Sequence, residues 1–591
     1  PPPMTRLAAS LTQVGGNTLL SRILGFARAL LVARLFGADA GTDAFFVAFK
    51  VPNFFRRLFA EGAFASVLVP VLHEAEHRGG REELRRLLDS LSGVLGAGVL
   101  LMTLVGLLIA PILILAFAPG FAGQPARQDL AAELLRLTLP YVAFVVLAAL
   151  AGAVLNLRER FGIPAFTPVL LNLAIIGCAL WLAPRLEQPI LALGWGVLFG
   201  GLIQLAVQLP FLARLGLLPR PRPGPAGWHA GTRQFLRRLG PVVLGVSVTQ
   251  INLLIDTFLA SFLAAGSISW LYYADRLVEF PLGILGAALG IVILPRLSRQ
   301  AAMTGVAREE EIALDVRVPA RASPETLFAE ATGPGSGGMA RAACGAAKEI
   351  GDPPIIPAHH SSQPRKAIGP FSATAPDDFS ATLDWALRWV LLLGLPAAVG
   401  LVVLAEPLVA TLFLSTEFSA RDVRMAALSL MAYAAGLVAF MAIKVLAQGY
   451  YARHDVRTPA RFALIALGTN LSLSLALMGI WAHAGLALAT SLAAWVNASL
   501  LLWDLGRSRA YRLRGDERDL ILKSLTAVFI LGALLSWGSP ALDTWLVVPA
   551  GTRLGWLGAW ILVGAGSYLA AILALGVRVR SLLPQGGSGY T

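Results

Sequence analysis

Runs of about twenty apolar residues recur along most of this chain, and no other feature of the sequence limits its fold so strongly. A run of that length, wound as a helix, matches the roughly 30 Å hydrocarbon core of a bilayer. Fourteen such spans are expected, near 15–37, 43–72, 91–117, 131–156, 164–184, 189–213, 237–263, 267–295, 383–404, 423–450, 460–482, 485–506, 520–538 and 555–577. Composition agrees: of 591 residues only 14% are charged, against about a quarter in soluble domains. The expected class is therefore an all-α polytopic membrane protein. A net charge of +13 could suggest a nucleic-acid partner, but its distribution argues for none. Arginines crowd alternate short loops, such as Arg78, Arg81, Arg85 and Arg86, then Arg220 and Arg222, then Arg507 and Arg509. That alternation follows the positive-inside rule and puts both termini in the cytoplasm. Two cysteines, Cys178 and Cys344, cannot form a disulfide framework. Arginines interrupt the first apolar segment and no small-residue cleavage site follows it, so no removable signal peptide is expected.

The first span carries Arg22, Arg28 and Arg34. A charge at mid-membrane costs about 3 kcal/mol on insertion scales, so such residues tend to face a partner or a water-filled cavity. Arg34, near the end of its span, can snorkel. Arg22 and Arg28 lie about 9 Å apart along an ideal helix and about 120° apart around it. They share a cavity only if it is wide or if the helix bends, for which Gly25 is the expected point. The alternative is that each is paired with a carboxylate such as Asp39 or Asp43.

Arg56 and Arg57 follow in the second span, with Glu61 one turn beyond. In the eighth, YYADRLVEF (272–280) sets Asp275, Arg276 and Glu279 close together on one helix. Guanidinium groups converging from Arg22, Arg28 and Arg276 would suit a diphosphate, since arginine offers forked donors and stays charged when partly dehydrated. A second polar set, Asp256 in span 7 with Thr469 and Asn470 in span 11, is a candidate for a coupling ion, although Asp256 could equally pair with an arginine. HEAEH (73–77) matches a zinc-protease pattern but continues into a charge-rich connection without a third ligand, and reads as a surface helix. No phosphate-binding loop, nucleophile elbow or Cys/His cluster is present in the sequence, so neither an enzyme nor a metal site is expected. GTDAFFVAFK (41–50) and GSISWLYYAD (266–275) echo one another, which hints at two parallel halves.

SRILGFAR (21–28), ARLFGA (33–38), TDAFFVAFKVPNFFRR (42–57) and FAEGAF (59–64) resemble the N-terminal region of the MurJ (MviN) family. These are flippases for the peptidoglycan precursor lipid II, within a superfamily of multidrug, oligosaccharidyl-lipid and polysaccharide exporters. The resemblance implies two six-helix lobes, 1–235 and 236–510, plus two added helices in 511–591. It implies alternating access in the bacterial inner membrane, with lipid II and membrane lipids as partners and peptidoglycan synthases as candidates. No cofactor is implied beyond a sodium ion, a proton or the membrane potential as the drive. Arg22, Arg28, Asp43 and Arg276 fall on positions that the family uses for activity. Arg57 and Glu61 match its second-span motif, and Lys444 matches a position suited to a counter-ion. Asp43, Glu61, Asp275, Glu279 and Lys444 are thus expected in gating or ion pairs. Residues 297–382 depart from the family pattern and read as a disordered cytoplasmic insertion. Competing expectations are a flippase for another lipid-linked oligosaccharide, a drug exporter, and a non-transporting scaffold for wall synthesis.

Overall fold

A computed structural model describes residues 3–60, 63–222, 229–283, 297, 375–453, 455–508, 511 and 516–577. Among them all regular secondary structure is helical. The first ten helices are α1 (Pro3–Phe36), α2 (Ala40–Ala60), α3 (Ala63–Leu108), α4 (Ala110–Phe117), α5 (Pro125–Thr138), α6 (Tyr141–Leu157), α7 (Gly162–Trp181), α8 (Leu191–Arg214), α9 (Ala230–Ala260) and α10 (267–283). After the undescribed segment come α11 (Ala375–Val403), α12 (Ala405–Phe413), α13 (Ala420–Ala434), α14 (Leu437–Ala452), α15 (Arg457–Arg507), α16 (Asp516–Gly538), α17 (Leu542–Val547) and α18 (Ala550–Ala574).

Among the described residues eight stretches are long and apolar enough to cross a membrane, or nine if α13 and α14, bent by 41°, form one span. Two of the stretches hold more than one crossing. At 1.5 Å per residue a 51-residue helix would run about 75 Å, far beyond a bilayer. α15 indeed breaks at Ala482 (φ 47°, ψ −127°), the last residue of the span expected at 460–482 and just before that at 485–506. α3 breaks at the glycine pair of HRGGRE, where Gly80 adopts φ 65° and ψ −154°. That region is open essentially to glycine alone. Large apolar side chains face outward, with Leu108 81% and Trp537 90% exposed, as a lipid-facing surface requires.

Small residues set the close contacts. A Cβ on Gly196 would stand 2.6 Å from the Ile175 Cα, and one on Gly200 would meet the Leu171 backbone at 3.1 Å. The Gly-x3-Gly stripe of α8 therefore lets α7 approach to backbone contact, as its spacing suggests. The companion pair Gly286 and Gly290 lies outside the described residues. Gly25 acts differently from expectation. α1 continues as helix through it, and it makes room for Asn172 of α7, which donates to the Ser21 carbonyl at 3.2 Å.

α1 to α8 pack chiefly among themselves, and α11 to α18 do likewise. α9 touches both sets, against α2 and α3 on one side and α15 on the other. A division at 235/236 falls inside α9, which begins at Ala230 because His229 caps it. His229 Nδ1 accepts from the Gly231 N–H at 3.0 Å, so the ring proton is on Nε2, which donates to Glu83 of α3 at 2.6 Å. α11 similarly starts at Ala375, so 375–382 belongs to a helix rather than to an insertion. The rest of that segment lies outside the described residues, apart from Leu297.

Candidate functional site

α2 and α10 run side by side in the same direction, in a register one residue off the sequence echo between 41–50 and 266–275. Asp43 pairs with Ser269, and Phe46 stacks on Tyr272 at 4.0 Å between centroids; both pairs lie 226 residues apart. At the head of this register Asp43 is fully buried. It accepts from the Gly266 N–H at 2.8 Å, from the Ser269 N–H and hydroxyl at 2.8 and 2.6 Å, and from Arg127 of α5 at 2.5 Å. Its oxygens thus cap the start of α10, where unpaired N–H groups favour negative charge, while Arg127 neutralises it. Tyr273 donates to the Gly37 carbonyl at 3.0 Å, closing the α1–α2 turn over the same end.

A turn further along the register lie the cationic side chains. The Arg28 guanidinium donates to the Tyr272 hydroxyl at 3.2 Å, and the Arg276 guanidinium lies 5.0 Å from the centroid of the Tyr272 ring. Two of the three expected arginines therefore converge on one tyrosine, reached from α1 and from α10. Arg276 is anchored on its own helix, to Glu279 at 2.5 Å and more loosely to Asp275 at 3.8 Å. Arg22 is exposed and lies against α10 further along, where a Cβ on Gly283 would collide with its guanidinium. Arg57 is half-buried on α2, one turn beyond Asn53, which accepts from Arg56 at 3.0 Å. Glu61 lies outside the described residues. Lys444 of α14 makes no ion pair among the described residues; it is exposed, and the charges that face it are Arg22 and Glu279. Lys50 was not anticipated, and it too stands among these charges, facing Asp275, Asp256, Arg57 and Arg276.

The second polar set is only partly assembled as expected. Asp256 and Asn470 are both buried, and the Asn470 amide donates to Asp256 at 3.1 Å. Thr469 is turned away and bonds the Ile465 carbonyl of its own helix at 3.0 Å, because adjacent residues on a helix do not share a face. Thr490, from the second half of α15, takes its place, 3.4 Å from Asp256 and 3.3 Å from the Asn470 oxygen. Ser474 reaches the same oxygen at 3.5 Å. The oxygens of Asp256, Asn470 and Ser474 are buried and that of Thr490 is half-buried, and oxygens are the ligand type that hard cations take.

The HEAEH carboxylates are engaged in helix contacts. Glu76 accepts from Arg158 at 2.6 Å, and Glu74 accepts from Gln234 of α9 at 3.0 Å as well as from Arg78. Tyr272, Ser269, Arg127, Lys50 and Thr490 were missed from sequence. The 41–50 echo could have pointed to Tyr272, Ser269 and Lys50, since it pairs exactly those stretches. No sequence signal marks Arg127 or Thr490.

A polytopic helical protein with arginines brought together inside its span bundle, beneath a buried seal, is built as a membrane transporter. The family model for the lipid II flippase MurJ matches residues 32–310 and 371–550, most of the chain, and the chain belongs to that family. The model passes over 311–370, within the segment that departs from the family pattern. Among relatives, the probable lipid II flippase MurJ of Vibrio cholerae is 39% identical over 585 residues, covering 98% of each chain. The lipid II flippase MurJ of Burkholderia cenocepacia is 34% identical over 576 residues, covering 97% of this chain and 98% of its own. In fold the chain is similar to a lipid II flippase MurJ solved in an inward closed conformation (TM-score 0.70, 23% identity, 96% and 99% covered). It is also similar to an inward-facing multidrug resistance transporter of the MATE family (TM-score 0.55, 14% identity, 83% and 94% covered).

Proposed function

We propose that this chain flips lipid II, the undecaprenyl-diphosphate-linked precursor of peptidoglycan, across the bacterial cytoplasmic membrane. Full-length relatives carrying that name support the substrate, and the meeting of Arg28 and Arg276 at Tyr272 is the observation that supports the route. Two guanidinium groups on different helices, with Arg22 further along, offer forked donors to a diphosphate. The Arg-rich loops would face the cytoplasm with both termini, so the Asp43 network would seal the periplasmic end. The headgroup would then enter from the cytoplasm and leave once α2 and α10 part, two six-helix lobes rocking about the site. Covalent bonds stay intact throughout, so the chain acts as a transporter rather than an enzyme. An oxygen-lined site at Asp256, Asn470 and Thr490 fits a sodium ion or proton as the drive. Membrane potential adds about 2.3 kcal/mol per charge per 100 mV, enough to bias a rocking step. An apolar hollow of about 340 Å³ beside Trp556 and Trp560 in α18 adds room for a hydrocarbon tail near the last two spans.

The test is lipid II exposure on the outer face of cells depleted of their own flippase and expressing this chain or its Arg22→Ala, Arg28→Ala or Arg276→Ala variants at matched membrane levels. Exposure restored by the intact chain and lost in the variants supports the reading. An intact chain that inserts but restores nothing favours another lipid-linked glycan or a scaffold role. Variants that all work remove the arginine cleft from the route.

A further inference from the structure

We infer that Lys50 is the residue through which a cation at the Asp256 site controls the readiness of the arginine cleft for a diphosphate. The inference rests on the proposed roles of those two sites and adds the link between them. α2 carries Lys50 one helical turn past Phe46, and α10 carries Asp275 and Arg276 one turn past Tyr272, the residue on which Phe46 stacks. The parallel register therefore sets the lysine opposite that acid–base pair. The carboxylate of Asp256 on α9 acts electrostatically on the same ammonium, so Lys50 is shared by carboxylates that belong to the two different sites. Tyr433 of α13, 8% exposed, faces both carboxylates as well, which puts all four side chains in one neighbourhood.

Among the described residues no hydrogen bond or salt bridge holds the Lys50 ammonium. A lysine within a span that is shared by two acids is a charge able to move, because its four-carbon stem swings over several ångströms. Arg276 grips Asp275 only at 3.8 Å, against 2.5 Å for Glu279, so this carboxylate is the weaker of its two tethers. With the Asp256 site empty, both acids draw on the lysine. A cation bound at Asp256 cancels one attraction, and the ammonium turns to Asp275. Arg276 is then released by Asp275, keeps only Glu279, and has donors to spare for a diphosphate. Binding linkage is reciprocal, so a diphosphate in the cleft tightens the cation in turn.

The experiment uses the full chain in lipid nanodiscs with farnesyl diphosphate as probe. Its affinity is measured against sodium, with choline holding ionic strength constant, and separately against pH without sodium. The intact chain should bind the probe about fivefold or more tightly when the effective cation is present, the lower end of ordinary coupling between sites. Lys50→Met should bind the probe with an affinity that no longer responds to the cation, whereas Lys50→Arg keeps the response. Asp256→Asn, with Lys50 intact, should also lose it. A purely structural lysine would lower affinity equally with and without cation. Undiminished linkage in Lys50→Met overturns the inference, as does an intact chain that binds the probe but answers neither cation. Failure of the intact, monodisperse chain to bind the probe at all overturns instead the cleft on which the inference rests.

Discussion

Asp43 and Arg276 sit on the same pair of helices, yet their surroundings differ in kind. The Asp43 carboxylate is wholly buried and accepts four hydrogen bonds, from Arg127, from Gly266 and twice from Ser269. The Arg276 guanidinium is half-buried and holds Glu279 closely but Asp275 only loosely. A saturated charge network fixes a geometry, since removing any member strands another in a dry site. An unsaturated one keeps capacity for a ligand. The comparison teaches that a charge within a membrane span is read by how completely it is satisfied, not by its mere presence.

Breaking the saturated end should have the largest effect. Asp43→Ala leaves Arg127, 4% exposed, without its buried partner, and should cost about 3–5 kcal/mol. Thermal unfolding of the purified chain in detergent would show it as a marked loss of melting temperature, and an unchanged melt would contradict the saturation argument. At the unsaturated end, Arg276→Ala should leave the melt nearly intact. Farnesyl diphosphate affinity should instead fall roughly tenfold to a hundredfold, the worth of about 1.5–3 kcal/mol for hydrogen bonds to a charged group. Equal losses of stability at both ends would erase the distinction.

The Asp256 set sharpens the comparison within one helix. Thr490→Val removes an oxygen 3.4 Å from Asp256, while Thr469→Val removes one bonded only to its own helix. The first should weaken the driving cation by a factor of a few, about 0.5–1.5 kcal/mol, and the second should do nothing measurable. Cation-dependent fluorescence or calorimetry separates them, and equal effects would return Thr469 to the site.

The smallest effect is expected at the exposed end of α3. The hydrogen bond from His229 holds Glu83 below the usual carboxylate range. A depressed acid stabilises the fold above its unfolded value of about 4.3, and that contribution disappears as pH falls through the lowered value. The intact chain should therefore melt slightly higher than Glu83→Gln at neutral pH, and the gap should close on acidification. A gap that grows in acid would reverse the sign of the argument.

How much could be read in advance depended on the range of each interaction. Spans followed from apolar run length: the break in α3 fell in a connection between expected spans, and that in α15 on the last residue of one. The Gly196 and Gly200 stripe was legible because its spacing lies within one helix. The arginines were visible because charge inside an apolar run is conspicuous. Tyr272 stood within the echo of 41–50, but nothing local told that two guanidinium groups, one from α1, would meet on it. Thr469 was chosen over Thr490 because it adjoins Asn470 in sequence, and helical geometry places adjacent residues on different faces.

The sequence by itself determined a multi-span helical membrane protein, its family, and an excess of positive charge inside the bundle. Each rests on composition, run length or local motif, which the chain carries wherever it folds. Only the tertiary structure decided which charges are sealed and which are open to a ligand. Asp43 meets Arg127, Thr490 meets Asp256, and Arg28 meets Tyr272 because helices far apart in sequence pack together. A bilayer strengthens that dependence: with little water inside to satisfy a polar group, its partner must be supplied by another helix.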